Sequence, residues 1–332
     1  MNAETLLLTT LLLPLAGAAG IIITRHTPNV REGVTLLTST LVAVLVVMIA
    51  ARFMDGETFA ITLMEPLPGI AIAFEIEALG MLFALVAGLL WVVTSIYSIG
   101  YMRGHNEQNQ TRFFAAFAVS IAATMGIAFA ANLFTLFLFY ELLTLATYPL
   151  VTHAGSPEAK RGGRTYLGIL LGTSIGLLLL GILVTWSLTG RIDFQAGGIL
   201  AGHIDPAWAG LLYALFLFGI GKAAVMPFHR WLPAAMVAPT PVSALLHAVA
   251  VVKAGVFTLL KVTIYIFGGD FILSNDVTGG LIWVAAATIL IASMVAMTKD
   301  NLKARLAYST VSQLSYIVLG AMLASKAGLL GA

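Results

Sequence analysis

The sequence predicts an all-α polytopic membrane protein of about ten transmembrane helices, and three observations predict it. Of its 332 residues 60% are hydrophobic and 10% charged, with a mean hydropathy of +0.99. A soluble domain is about half apolar and about a quarter charged, so this chain cannot cover itself with polar surface and needs lipid as its solvent. Apolar runs of the about 20 residues that a hydrocarbon layer requires divide the chain almost completely. The basic residues between those runs are also distributed unevenly, as a membrane topology demands.

The runs fall at 5–23, 34–51, 77–100, 113–131, 133–152, 164–189, 208–226, 240–267, 278–298 and 304–324. The first follows Met1-Asn2-Ala3-Glu4 without a basic leader and reads as a retained helix. Between the seventh and eighth runs the stretch Pro227-Phe228-His229-Arg230-Trp231-Leu232-Pro233, followed by Pro239-Thr240-Pro241, packs its prolines densely. Each proline removes a backbone donor and blocks helix continuation, so the chain is expected to break, run a short turn or two and reverse. A broken helix is tolerated at membrane depth only where protein or water satisfies the freed groups.

One set of alternate connections carries Arg25, Arg31, Arg103, Arg112, Lys160, Arg161, Arg164, Arg230, Lys299, Lys303 and Arg305; the opposite set carries only Arg52, Arg191 and Lys326. A missing or extra helix would scramble this asymmetry, which puts both termini on the non-cytoplasmic side. No soluble domain interrupts the pattern, and residues 1–332 read as one membrane domain.

Several function classes drop out. There is no cysteine, which removes disulfides, thiolate metal sites, iron–sulfur ligation and c-type haem attachment. The net charge of +2 gives no footprint for nucleic acid. Gly162-Gly163 lacks the phosphate-loop pattern, and His153, His203 and His229 fall in connections, against an intramembrane haem pair. Glu75 and Glu77 fall at the membrane edge, where solvation accounts for them. No cofactor, metal, redox or hydrolytic site is expected.

Lys222, Lys253 and Lys261 remain, all within apolar runs. An ionisable group at the bilayer centre costs on the order of 2.5 to 3.5 kcal/mol and marks an ion or proton pathway by default. Glu141, in Phe139-Tyr140-Glu141-Leu142-Leu143-Thr144, lies roughly 13 Å from either end of its run. A carboxylate there pairs with a cation or stays protonated, and both make it a candidate proton site. Lys222 precedes the expected break by a few residues, where free backbone groups and water are at hand. His247, Lys253 and Lys261 share the next run. At roughly 9 and 12 Å apart along the axis they need water between them to exchange a proton. Lys261 is the weakest candidate, close enough to the helix end to snorkel. The competing interpretation is a scaffold whose buried charges are inert ion pairs.

Lys222-Ala223-Ala224-Val225-Met226-Pro227-Phe228-His229-Arg230-Trp231-Leu232-Pro233, with Ala238-Pro239-Thr240-Pro241-Val242-Ser243-Ala244-Leu245-Leu246-His247, resembles the signature of antiporter-like proton-conducting subunits. These occur in respiratory complex I, membrane-bound hydrogenases and Mrp-type cation/proton antiporters. The Glu141 segment and Leu306-Ala307-Tyr308-Ser309-Thr310-Val311-Ser312-Gln313 resemble two further motifs. Lys253 matches the central lysine of the D-type polypeptide of Mrp-like antiporters.

The resemblance implies a proton relay in which Glu141 pairs with Lys222, Lys253 passes the proton laterally and His247 lies on the same polar axis. It implies inverted five-helix repeats: residues 1–110 carry the first three helices, 111–268 the first repeat with its broken helix near 222–239, and 278–332 the start of a second. The sequence ends at Ala332, before a second broken helix, so either the chain is a shortened piece or another polypeptide is expected to supply the remaining helices of the path. The expected partners are other membrane subunits of one complex and lipid, with protons and Na+ or K+ as the ions and no nucleic acid. The expected function is that of one component of a multisubunit monovalent cation/proton antiporter in a bacterial inner membrane; the alternative is a proton-pumping component of a complex I-like or hydrogenase-type redox complex.

Overall fold

A computed structural model describes residues 2–245 and 250–332. Helix α1 (Ala3–Ile23) starts where the Asn2 side chain accepts from the Thr5 backbone N–H. Helix α2 (Pro28–Met54) begins on proline, whose missing donor costs nothing at that position. A two-stranded antiparallel hairpin follows, β1 (Ala60–Leu67) and β2 (Ile70–Glu75). Gly69 supplies the positive φ of 77° that its turn requires.

The hairpin corrects the all-α expectation. Its first strand is exposed on both faces, so it carries none of the apolar alternation by which a half-buried strand announces itself.

Helices α3 (Ala78–Gly104), α4 (Gln110–Ala128), α5 (Leu133–Val151) and α6 (Pro157–Thr189) run next. In α6 a π-turn at Ser174–Leu178 interrupts regular hydrogen bonding. Helix α4 is the most enclosed of the long helices. Outward faces carry Leu82, Val93 and Ile96 on α3 and Trp283 and Leu290 on α10 (Gly279–Met297), an apolar surface suited to lipid.

After α7 (Pro206–Gly219) the chain breaks as the prolines predict and passes through short turns as far as Thr240–Ala244; α8 (Val251–Phe267) lies beyond. Helix α8 bends by 77° into α9 (Gly269–Asn275), and α10, α11 (Leu302–Met322) and α12 (Lys326–Gly331) complete the chain.

Among the described residues seven helices, α1–α6 and α10, are long and apolar enough to cross a membrane, or eight if the bent α8–α9 pair is one span. The expected count of ten is therefore not reproduced. The run at 208–226 holds only a 14-residue helix, because Ile220 leaves the helical region. The run at 304–324 does form α11, but Lys303, Arg305, Ser309, Ser312, Gln313 and Ser315 make it too polar for the same class. The chain is a multi-pass integral membrane protein whose transmembrane part is helical.

At the end opposite the hairpin, Arg31, expected in a connection, is built into a helix end beside Glu32. Arg31 and Glu32 of α2 are buried; Arg31 donates to Gln110 at 2.7 Å and to Thr111 at 3.2 Å, and Glu32 pairs with Arg103. This network ties α2, α3 and α4 together.

Candidate functional site

The site forms where the break after α7 meets α5. Helix α5 is fixed at its start by Asn132, whose side chain accepts from the Thr135 N–H at 2.8 Å and donates to the Ala71 carbonyl at 2.8 Å. The hairpin is thereby joined to the helix that carries the buried acid. Along α5, Tyr140, Thr144 and Thr147 recur at four- and three-residue steps, share one face, and are fully buried.

Lys222, fully buried, docks on that face. Its backbone N–H donates to the Tyr140 hydroxyl at 3.1 Å. Its ammonium donates to the Tyr140 carbonyl at 2.8 Å and the Thr144 hydroxyl at 2.5 Å, and lies 3.2 Å from the Tyr140 ring centroid. A charge so deep in an apolar bundle requires this set of acceptors, since an unpaired one costs several kcal/mol, on the order of 3–5.

The break holds Lys222 in place. Gly221–Ala223 form a single 3-10 turn, closed by Ala224 in the left-handed region at φ 55°. A non-glycine residue there costs about 1–2 kcal/mol, which the surrounding packing must offset. Trp231, beyond the break, donates its indole N–H back to the Gly221 carbonyl at 2.8 Å. Its ring also meets Tyr166 of α6 edge-on, and the Tyr166 hydroxyl is hydrogen-bonded to Thr147 at 2.5 Å. On the far side, Gly255 of α8 lies so close to the Lys222 and Ala223 backbone that a Cβ would collide with it.

Glu141 stands beside this arrangement. Both carboxylate oxygens are buried and have no hydrogen-bond partner among the described residues. Among those residues no ion pair within 4 Å joins Glu141 to Lys222, so the acid that the resemblance pairs with this lysine acts on it through its field and not by contact. The reason is helical geometry: Lys222 grips the face of residues 140 and 144, and Glu141 is turned about 100° from Tyr140 around the axis.

Lys253 is half-buried on α8. It lines an apolar cleft with Leu82, Phe83 and Val86 of α3, and a second cleft with Ser309, Thr310 and Gln313 of α11. It thus lies between α3 and α11. His247 lies outside the described residues.

Lys261 corrects the snorkelling expectation. It is 1% exposed, pairs with Glu77 at 2.9 Å and donates to the Ala130 carbonyl at 2.6 Å. Glu77, read from the sequence as a solvated edge residue, is thus the partner of a buried lysine. Tyr140, Thr144, Thr147 and Tyr166 were not legible as site residues, being neutral; the periodicity of the hydroxyls on α5 was the signal available to find them.

Residues 130–332 match the profile of the family described as NADH:quinone oxidoreductase/Mrp antiporter, TM, and residues 68–114 match that of NADH-Ubiquinone oxidoreductase (complex I), chain 5 N-terminus. The chain is 32% identical over 266 residues to a chloroplastic NAD(P)H-quinone oxidoreductase subunit 5 of Chlorokybus atmophyticus, covering 75% of this chain and 39% of that protein. It is 31% identical over 249 residues to the putative antiporter subunit mnhA2 of Staphylococcus epidermidis, covering 74% and 30%. The chain thus spans well under half the length of these curated relatives. Its fold superimposes on a chain in the structure of the Mrp complex from Dietzia sp. DQ12-45-1b with a TM-score of 0.82 at 24% identity, covering 97% of this chain and 59% of that one.

Proposed function

The chain belongs to the NADH:quinone oxidoreductase/Mrp antiporter transmembrane family, and on that premise we propose that it is a proton-translocating part of a multisubunit membrane complex that exchanges a monovalent cation for protons. The observation that carries this reading is Lys222, a fully buried ammonium held on neutral acceptors beside a carboxylate with no hydrogen-bond partner among the described residues. Ionised Glu141 stabilises the charged lysine, and protonation of Glu141 withdraws that support, so that the lysine's proton leaves. Lys253, beyond the Gly255 contact, receives it through water and presents it to the C-terminal side, with His247 on the same axis. Other membrane subunits of the same complex are its partners.

Under this reading α7 with its broken continuation and α11 also cross the membrane, giving ten spans, and residues 111–268 form the first of two inverted repeats. Both termini and the hairpin lie on the non-cytoplasmic side of a bacterial inner membrane, as the lysine and arginine asymmetry supports. The mnhA2 and quinone oxidoreductase relatives are not of the D type, so the proposal is made for the family rather than for that type. The quinone oxidoreductase relatives support a second reading, a proton-pumping part of a quinone-linked redox complex, in which the same relay serves.

The test is transport in vesicles carrying the assembled complex. Glu141→Ala and Lys222→Ala each abolish pH-gradient-linked transport while the complex still assembles; normal transport in both variants contradicts the reading.

A further inference from the structure

The most deeply buried charge that this relay leaves unused is Lys261, roughly 12 Å beyond Lys253 along α8. Its ammonium sits in a cage: Glu77 Oε1 at 2.9 Å, the Ala130 carbonyl oxygen at 2.6 Å, and the rings of Phe194 and Phe257 with centroids at 4.2 and 5.6 Å. The cage forms one wall of a cavity of about 190 Å³ under the hairpin, which Glu75 and Tyr265 also line. That volume holds an ion and a few waters at about 30 Å³ each.

A carboxylate and a carbonyl oxygen are hard donors suited to an alkali cation, and aromatic faces attract any cation. The ammonium of Lys261 already occupies the position as a cation of the chain's own. We propose that this cage is a monovalent-cation site, at which Na+ or K+ and the proton on Lys261 exclude one another. The inference deepens the antiporter reading and rests on it.

The exchange balances. Lys261 carries a proton and neutralises Glu77 in one state. In the other, the proton passes to water in the cavity, the lysine remains as a neutral amine, and the alkali cation takes the Glu77 carboxylate and the Ala130 carbonyl. One positive charge faces Glu77 before and after. Both departures from this are costly: no cation leaves the Glu77 carboxylate, 19% exposed and with its Oε1 buried, unpaired, and two cations repel each other in a low-dielectric site. The titratable groups facing the cage are Glu77 at the start of α3, Glu75 at the end of β2 and Tyr265 on α8; α4 is followed there by the Ala130 carbonyl, and the connection before α7 brings Phe194. Glu75 is exposed and adds negative charge at the mouth.

The experiment is proton release from the purified protein, lightly buffered at alkaline pH, on addition of NaCl or KCl with choline chloride as control. Wild type releases up to about one proton per chain with an alkali chloride beyond the choline control, as cation binding that displaces protons requires. Glu77→Gln and Lys261→Met abolish the release. The double variant Glu77→Gln with Lys261→Met leaves no orphan charge, elutes as wild type, and releases none. Glu141→Ala retains the release, so failure of the relay and failure of this site are read separately. Equal release from wild type and the double variant, no alkali-specific release from folded wild type, or release that depends on Glu141 and not on Glu77 overturns the proposal.

Discussion

The ammonium of Lys222 donates to the hydroxyl of Thr144 at 2.5 Å, while the carboxylate of Glu141, on the same helix as Thr144, has no hydrogen-bond partner among the described residues. The lysine is thus held by groups that never change charge, and the acid is left to act on it through the field alone. A strong direct ion pair would hold its proton in place; a lysine steadied by neutral acceptors can keep its position while its proton comes and goes.

Thr144→Val keeps the shape of the side chain and removes the acceptor. The buried ammonium then keeps only the Tyr140 carbonyl and ring, and stability falls by about 1.5–3 kcal/mol, the range for a hydrogen bond to a charged group. Thr144→Ser restores it. Denaturant or thermal unfolding in detergent measures both, and equal stability of the valine and wild-type proteins contradicts the role.

Glu141→Gln separates stability from transport. Both oxygens of the acid are desolvated without hydrogen bonds among the described residues; a neutral amide removes the cost of that buried charge but also the field that supports the Lys222 ammonium, and with the two changes opposed stability stays within about 2 kcal/mol of wild type. Proton transport falls by about a hundredfold or more, as expected when a proton-exchanging group is lost. A variant that transports normally, or that unfolds much more easily, contradicts this.

Gly255→Ala places a methyl group against the Lys222 carbonyl and the Ala223 backbone. Overpacking of this kind costs about 1–3 kcal/mol, and here it also pushes the break off α8. The expected result is a lower unfolding temperature together with reduced transport, whereas alanine at Gly168, which has open space around it, leaves both nearly unchanged.

His153 gives a pH dependence outside the membrane. It follows α5, is buried, and has no hydrogen-bond partner on either ring nitrogen among the described residues. Burial pushes its imidazole below the usual value; Glu107, 3.6 Å away, opposes the shift and Arg112 adds to it. The sign follows. Below about pH 6.5 the unfolded chain takes up a proton that the folded chain refuses, so this contribution to stability is full above that pH and declines as pH falls toward the folded value. His153→Gln removes that part of the acid sensitivity, and unfolding temperatures of the two proteins from pH 7.5 down to about 5 measure it.

Much of this was legible in the sequence for a plain reason: charge and proline are conspicuous against apolar background. Glu141 and Lys222 stood out by that contrast, and the prolines from Pro227 to Pro241 located the break. What stayed hidden depends on contacts between distant segments or on neutral groups. Lys222 is held by a carbonyl and a hydroxyl, which a search for charges passes over. Glu77 and Lys261 each lie near a helix end, where solvation is the simpler reading; only the packing of the hairpin, α4 and α8 brings them together. The hairpin was silent because its first strand is exposed on both faces.

The central claim is that the buried charges move protons and do more than hold the bundle together. Glu141→Gln combined with Lys222→Met tests it most directly, because removing both leaves no orphan charge and the protein is expected to fold and assemble. Measured as pH-gradient-linked transport in vesicles containing that assembled complex, the double variant is expected to be inactive at wild-type levels of protein. Transport at the wild-type rate would show that the two residues are a scaffold, and the claim would be wrong.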